Sequence, residues 1–105
     1  MNDLNYLLLA GTLKSNPVYD VTENRAVCTF EINSKRHNMA PDGRIQATMT
    51  VTAVRVKTSG FIAEACRKFL RAGRGVRVVG RLISDTTGLC VEAEHVEIQP
   101  VKKGC

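Results

Sequence analysis

The side chains with the clearest chemical capacity in this sequence are its lysines and arginines. The chain carries 15 Lys and Arg against 10 Asp and Glu, and its formal net charge is +5. Residues 35–81 hold eleven of the basic side chains and two acids, whereas residues 82–99 hold four acids and no Lys or Arg. A basic sector of this kind is typical of a surface that binds a polyanion. The alternative that charge leaves open is the solvated face of an ordinary basic domain.

Residue types that carry out catalysis or bind metals are sparse. His37 and His95 are the only histidines, and neither lies near a nucleophile or a carboxylate pair in the sequence. Gly73-Arg74-Gly75 lacks the Gly-Lys-Ser/Thr of a phosphate loop and follows a helix pattern instead of preceding one. The four cysteines stand singly, without metal-ligand spacing. We therefore expect no catalytic residue, no metal, no cofactor and no enzyme activity.

The cysteines and the apolar runs also predict a compartment. Cys28, Cys66 and Cys90 fall within apolar patterns, which is typical of buried free thiols in a reducing environment, and Cys105 is predicted to be exposed. No apolar run approaches the roughly 20 residues that cross a bilayer, and residues 1–11 lack the features of a signal peptide. We expect a cytoplasmic protein without a membrane partner.

The basic side chains must be positioned by a small domain. At 105 residues, 44% of them hydrophobic, the chain has the length of one domain; we assign residues 1–100 to it and residues 101–105 to a disordered tail. Apolar patterns predict strands over residues 4–13, 26–35, 46–57, 76–83 and 89–98, with a helix between the third and the fourth. Residues 35–44, which contain Pro41-Asp42-Gly43 and show no periodicity, are predicted to be a hairpin loop.

Two of the predicted strands are irregular. In the last strand the apolar parity slips by one residue, which predicts a bulge at Glu94-His95. In the third strand Met49 and Val51 share the parity of the outward side chains. They are expected either to cover a subunit contact or to mark a bulge.

The predicted helix is amphipathic. Its apolar positions follow the i, i+3, i+4, i+7, i+8 spacing of one helix face and are Ile62, Ala65, Cys66, Phe69 and Leu70. Ser59 is predicted to cap the first turn, because its hydroxyl can accept a hydrogen bond from a free amide. Gly73 is predicted to end the helix.

Five short strands with one helix between the third and the fourth are the element order of the OB-fold, an all-β, five-stranded Greek-key barrel. Three blocks of sequence resemble the bacterial single-stranded DNA-binding protein family, and one of them, AVCTFEINS, resembles its second strand. LNYLLLAGTLKSNPVY matches at Gly11, Leu13 and Pro17. The block GFIAEACRKFLRAGRGVRVVGRL matches the family run at Gly60, Ala63, Glu64, Leu70, Gly73, Val76, Val78, Gly80 and Leu82.

The resemblance implies binding of single-stranded DNA without sequence preference, in DNA replication, recombination or repair. Arg55 coincides with a basic position of the family. We expect the DNA to lie in a basic groove on the barrel, where Arg side chains neutralise phosphates and also stack on bases. The candidate DNA-binding residues are Lys14, Lys35, Arg36, Arg55, Lys57, Phe61, Arg77 and Arg81.

The sequence also departs from the family pattern. The aromatic rings on which family members stack bases are replaced by His37-Asn38, Ala53 and Ser59, and Phe61 is the partial substitute for one of them. Each base stacked on a ring contributes about 1–3 kcal/mol, so we expect weaker binding. A short hairpin replaces the long arm between the fourth and fifth strands, and we expect no acidic tail of the family's kind.

These departures keep a second hypothesis open. The chain is also similar to primosomal replication protein N, a short, tail-less relative of the same fold. The alternative function is therefore a protein-interaction module that bridges replication or recombination proteins and binds nucleic acid weakly. The resemblance further implies a homo-oligomer, a dimer or a tetramer assembled through first strands. The first strand has apolar residues on both parities, Leu7 and Leu9 on one and Tyr6 and Leu8 on the other, which agrees with a subunit contact.

Overall fold

The computed structural model of the chain describes residues 2–100, apart from the side chains of residues 45–47. The predicted tail at residues 101–105 lies outside them. Six strands and one helix follow one another along the chain: β1 (Leu7–Leu13), β2 (Val18–Thr22), β3 (Arg25–Met39), β4 (Ile45–Ser59), α1 (Phe61–Phe69), β5 (Gly75–Asp85) and β6 (Gly88–Ile98). No helix in this part of the chain is long and apolar enough to cross a membrane.

Five of the strands close into a barrel. Around the ring the order is β1, β5, β6, β4, β3, and β1 closes it by pairing with β3 at Thr12 and Leu13. All neighbours are antiparallel except β4 and β6, which pair in parallel at Val56 with Val91 and at Lys57 with Glu92. The helix lies between the third and fourth strands of the barrel. This arrangement confirms the predicted OB-fold.

The strand β2 was not predicted. β1 ends at Leu13, and Pro17, which has no amide hydrogen for a ladder, lies in the segment that follows it. The chain resumes as a strand at Val18 and pairs with β3 through a tight turn at Glu23 and Asn24, both with positive φ. Of the side chains of β2 only Tyr19 is half-buried. A strand that buries one side chain in five gives no alternating pattern for a sequence to reveal.

The predicted loop over residues 35–44 was wrong for its first half. The strand β3 continues to Met39, and only residues 40–44 form a turn, in which the Gly43 amide donates to the Ala40 carbonyl at 2.9 Å. The two strands project beyond the barrel as a paired arm, with Lys35 opposite Val51. Because both faces of the arm lie outside the core, its side chains need no hydrophobic alternation.

The pairing in this arm also bears on Met49. The register of β3 and β4 shifts between His37 and Met39, and Met49 pairs with His37 at the edge of that shift. Met49 and Val51 are both exposed. Val51 and Met49 pair with Lys35 and His37 in unbroken register, so neither residue marks the predicted bulge, and the irregularity lies beyond Met49. The contact with a second subunit stays a prediction.

The helix begins and ends elsewhere than predicted. Ser59 does not cap it: the N-cap is Gly60, with φ 66° and no side-chain hydrogen bond, because Ser59 still belongs to β4. At the other end Leu70 already has an extended backbone, and Gly73, with φ 83°, lies in the following turn. The helix is thus nine residues long, and it covers one end of the barrel.

The buried side of the helix is narrower than the sequence suggested. Ala63, Cys66 and Leu70 are fully buried, whereas Ala65 and Phe69 are exposed, Phe69 by 59%. Two turns of helix touch the barrel along a single line, so residues to either side of that line face solvent. The expectation that Ala65 and Phe69 pack in the core was wrong.

The core lies between this helix and the inner faces of the strands. Its largest fully buried side chains include Ile32, Val56, Val78 and Val91. Cys28, Cys66 and Cys90 are buried free thiols, as predicted, and burial raises the pKa of Cys66 to about 11. The predicted bulge is also confirmed, because Val79 pairs with His95 and Gly80 with Ala93, which leaves Glu94 as the extra residue.

Gly11 lies where β1 crosses β3 at the closure of the barrel. A Cβ atom there would lie within 3.0 Å of the Asn33 carbonyl and of the Ile32 side chain. The backbones therefore approach each other more closely than any other residue at position 11 allows.

We predict that Gly11→Ala destabilises the protein by about 1–3 kcal/mol, because the β1–β3 junction must open to admit the methyl group. Thermal and urea denaturation followed by circular dichroism measure the loss. The matched control is Gly75→Ala, whose Cβ would meet the flexible side chain of Gln99 at 3.3 Å and the Gly11 carbonyl oxygen at 3.9 Å, an ordinary contact distance. Equal stability of the two variants would contradict the close approach at Gly11.

Candidate nucleic-acid interface

The barrel has one extended polar surface, on the outer side of β3 and β4. Side chains alternate along both strands, so the residues between the buried Cys28, Phe30 and Ile32 point away from the core. We name this surface the β3–β4 outer face. It consists of Val27, Thr29, Glu31, Asn33 and Lys35 of β3 and Val51, Ala53, Arg55, Lys57 and Ser59 of β4.

Three of the predicted DNA-binding residues lie together on this face. Arg55 lies opposite Glu31, Lys57 opposite Thr29, and Lys35 opposite Val51. From Val51, opposite Lys35, to Lys57 the strand runs for roughly 20 Å. The three basic side chains are therefore distributed along a path long enough for several nucleotides of an extended single strand.

Two further candidates border the face. Lys14 follows β1 directly, and its ammonium group lies 3.6 Å from the Glu31 carboxylate, at the edge of the outer face. Arg36 neighbours Lys35 but lies on the opposite side of the arm, where it pairs with Thr50. The placement of Lys35 and Arg36 in one basic loop was wrong, because residues 35 and 36 of an extended strand point in opposite directions.

Arg77 and Arg81 belong to another part of the barrel. Both lie on β5, which β6 separates from β4. Arg81 forms an ion pair with Glu92 at 2.9 Å, and Arg77 one with Glu97 at 3.9 Å. Arg81 therefore lies two strands away from Lys57. Arg77 lies four residues before Arg81 on β5, roughly 13 Å from it. The structure does not bring Arg77 onto the outer face.

Phe61 lies at one end of the outer face. It is the first residue of the helix, two positions after Ser59, and its ring is 95% exposed. Ala53 and Ser59 occupy the outer face itself, where the sequence predicted the loss of stacking rings. Phe61 is thus the one aromatic side chain among the predicted site residues.

Two depressions indent this surface. The Arg55 depression has a volume of about 170 Å³, lies beneath the segment that joins β1 to β2, and is lined by Ser15, Asn16, Val18, Thr29, Phe30, Glu31 and Arg55. The Lys57 depression has a volume of about 210 Å³ and is lined by Arg25, Val27, Lys57, Ser59 and Glu92. Arg25 was missed in the sequence, although it has the same strand parity as Thr29 and Glu31. Asn16 was missed because the path of its segment depends on the barrel.

The Arg55 guanidinium forms an ion pair with Asp85, the last residue of β5. Its Nη2 donates to both carboxylate oxygens of Asp85, at 2.7 and 2.8 Å. The Thr87 amide and hydroxyl donate to the same carboxylate at 2.9 and 2.7 Å. These bonds, led by that from Arg55, lower the pKa of Asp85 below its ordinary range. The pKa of Arg55 is raised in turn, chiefly by the hydrogen bond to Asp85.

The other basic residues on the face, together with Arg25 at the start of β3 beside it, differ from Arg55 in their ion pairing. Lys57, Lys35 and Arg25 form no ion pair within the part of the chain that the structure describes, and Glu92 lies beside Lys57 across the β4–β6 pair. Within those same residues, no three His, Cys, Asp or Glu side chains lie close enough together to hold a metal ion. The chemistry available on this face is therefore charge neutralisation and hydrogen bonding.

The helix that closes the barrel is also tied down near the face. The Tyr19 hydroxyl donates to Oε1 of Glu64, which raises the Tyr19 pKa. The Arg67 guanidinium lies 4.5 Å from the centre of the Tyr19 ring. Arg67 thus contributes to holding α1 against β2, which agrees with its exclusion from the candidate DNA-binding residues.

No protein-family model and no curated protein matches the sequence. Solved structures match its fold. A small single-stranded DNA-binding protein from Streptomyces coelicolor is similar with a TM-score of 0.78 and 17% identity, over 94% of this chain and 95% of that one. The single-stranded DNA binding protein from Thermus aquaticus gives a TM-score of 0.79 and 23% identity, and this chain spans 52% of its length. These likenesses establish a shared fold.

The Asp85 contacts predict how stability depends on pH. A carboxyl group with a depressed pKa in the folded state adds stability that is fully present above its unfolded pKa and is lost as the pH falls through the folded pKa. We expect Asp85→Asn to lower the melting temperature near pH 7 and to flatten its decline below about pH 4. Thermal denaturation followed by circular dichroism across this range measures both effects.

The control for this prediction is Asp3→Asn, which removes an exposed carboxylate that forms no ion pair within the described residues. The decline of its melting temperature at acid pH should match that of the wild type. An Asp85→Asn variant that also matches the wild type would show that the Arg55–Asp85 pair contributes nothing to folding.

Proposed function

We propose that this protein is a non-catalytic binding module for single-stranded DNA, which it binds along the β3–β4 outer face during replication, recombination or repair. The observation that carries the proposal is the alignment of Lys35, Lys57 and Arg25 along one side of an OB barrel. None of the three is neutralised by an ion pair within the described residues, and two depressions lie beside them. The proposal is supported by the solved proteins of the same fold, which are single-stranded DNA-binding proteins.

The composition of the face determines the kind of binding. Phosphate contacts by Lys and Arg release counterions, so affinity falls steeply with salt. Stacking contributes little, because Ala53 and Ser59 replace rings and Phe61 alone supplies one. Base stacking is worth about 1–3 kcal/mol per base. We therefore infer an affinity that is weak for a protein of this fold and dominated by electrostatics.

The shortage of rings is also the observation that favours the second candidate. In that reading the barrel is a protein-interaction module of a replication or primosome assembly, and nucleic acid is a secondary ligand. The exposed Phe61 and Phe69 would then contact a protein partner instead of bases. Direct titration with single-stranded DNA separates the two functions.

We predict that the protein binds a fluorescently labelled oligothymidylate of about 15 nucleotides at low salt. Lys57→Ala should weaken binding and reduce the slope of log K against log salt by about 0.7, the value for one phosphate contact on a single strand. Arg55→Ala should change the slope less, because Asp85 already balances the charge of Arg55. Fluorescence anisotropy between about 50 and 200 mM salt measures both slopes.

The matched control is Lys68→Ala, which removes an exposed lysine from α1, away from the outer face. Its slope should equal that of the wild type. Absence of binding at low salt would remove the DNA-binding proposal and leave the protein-interaction module. Equal effects of Lys57→Ala and Lys68→Ala would show that the strand binds elsewhere on the molecule.

We further propose that two or more copies associate through β1. The strand pairs with β5 along residues 7–12 but with β3 only at Thr12 and Leu13, so the other edge of residues 7–11 has no strand beside it within the described chain. Tyr6 and Leu8 are each 64% exposed at this edge. An open strand edge with apolar side chains is a template for pairing with another strand.

We predict that Leu8→Glu converts the oligomer into a monomer, because it places charges within the contact between two β1 strands. Size-exclusion chromatography with light scattering gives the mass of each species. The control is Val21→Glu, an equally drastic change at an exposed position on β2, which should leave the mass unchanged. A wild-type protein that is monomeric at all concentrations would refute the association.

A further inference from the structure

The Arg55 depression has the size of one aromatic ring system. Its volume of about 170 Å³ exceeds that of the cavity of about 150 Å³ which admits a benzene ring in a protein interior. Val18 and Phe30 supply apolar walls, and the other side chains that line the depression are polar. The depression opens onto the β3–β4 outer face. A base that leaves the path of a bound strand can therefore enter it from the side.

Its polar groups are of two kinds. Asn16 is held in place because its Oδ1 accepts a hydrogen bond from the Ala72 amide at 2.8 Å, and its side-chain amide nitrogen makes no hydrogen bond within the described residues. Ser15 and Thr29 add hydroxyl groups. Against these donors stands one acid, Glu31, which lies directly opposite Arg55 in the β3–β4 ladder.

The negative charge of Glu31 is unfavourable on a surface that is proposed to bind phosphates. Its Oε1 lies 3.6 Å from the Lys14 ammonium, a loose ion pair between two exposed side chains. A carboxylate repels the sugar-phosphate backbone, but it is an acceptor for the N–H groups at the edge of a base. Its presence in a base-sized depression therefore points to a contact with a base.

We propose that the Arg55 depression accepts a single base from the bound strand and prefers guanine, an inference that rests on the proposed single-stranded DNA binding. Guanine alone presents two adjacent donors, N1–H and the 2-amino group, which match the two oxygens of Glu31. Its O6 and N7 are acceptors, and they suit the Asn16 amide, the hydroxyls and the guanidinium nitrogens of Arg55 that Asp85 leaves free.

The other bases fit this arrangement less well. Thymine has one ring donor between two carbonyl groups, and cytosine and adenine each present an unprotonated ring nitrogen beside the exocyclic amine. Each of these would place an acceptor against the Glu31 carboxylate, and two facing acceptors leave a desolvated group unpaired. The outer face as a whole remains tolerant of sequence, so the preference concerns one nucleotide in a longer site.

The test compares oligothymidylates of about 15 nucleotides that carry one central guanine, adenine, cytosine or hypoxanthine, by competition in fluorescence anisotropy. We expect the guanine oligomer to bind about fivefold more tightly or better than the others, the lower limit for a two-point contact with a base. Hypoxanthine differs from guanine by lacking the 2-amino group. The wild-type protein should therefore bind the hypoxanthine oligomer with most of the advantage of the guanine oligomer lost.

The protein variant is Glu31→Gln, which keeps the size of the side chain and removes the second acceptor. We expect it to bind all oligomers more tightly, because a negative charge is gone, and to lose the ratio between guanine and thymine. Glu97→Gln, on the distant β5–β6 surface, serves as the control and should keep the ratio of the wild type. The ratio is thus the readout, independent of overall affinity.

The outcomes separate this inference from the proposed function. Equal affinity for all four substituted oligomers and plain oligothymidylate would overturn the guanine preference and leave DNA binding intact. A guanine preference that persists in Glu31→Gln would equally overturn it, because Glu31 would not be the residue that contacts the base. Failure of every oligomer to bind would overturn the proposed function itself.

Discussion

The long ladder between β3 and β4 is the interaction on which the rest of the molecule depends. One parity of its side chains, including Phe30 and Val56, forms the core, and the other parity forms the surface with the basic residues. A shift by one residue would exchange the two sets completely. Folding and the candidate binding surface are therefore fixed by the same register, and the core cannot form without placing Arg55 and Lys57 side by side on the outside.

The predictable part of this structure follows from periodicity. Alternation in residues 26–35 and 76–83 gave the core strands, and the parity slip near Glu94 gave the bulge. The β3 part of the arm, residues 36–39, and the strand β2 were not predicted, because they bury too few side chains to produce a pattern. The helix was predicted correctly, but the width of its buried face was not. Ala65 and Phe69 have helical spacing whether or not they contact the barrel, so the spacing alone cannot show that they are exposed.

The candidate site was predictable only where it lies on a strand. Arg55 and Lys57 share a parity, and that alone places them together. The ion-pair partner of Arg55, Asp85, comes from the end of β5, and Asn16, which lines the same depression as Arg55, comes from the segment between β1 and β2. Such contacts join residues 30 or more positions apart, and only the closure of the barrel brings them within reach. The lysines and arginines were visible in the sequence, whereas which of them are neutralised was not.

The pairing of Arg55 with Asp85 places a competing anion on the proposed binding surface. Asp85 contacts one nitrogen of the guanidinium with both carboxylate oxygens, as a phosphate group would, so under the proposed function a strand that uses all of Arg55 has to displace Asp85. The strength of that competition depends on the Thr87 contacts that hold Asp85. Substitutions confined to the β5–β6 turn would then change the affinity for a polyanion, while the residues of the β3–β4 outer face stay the same.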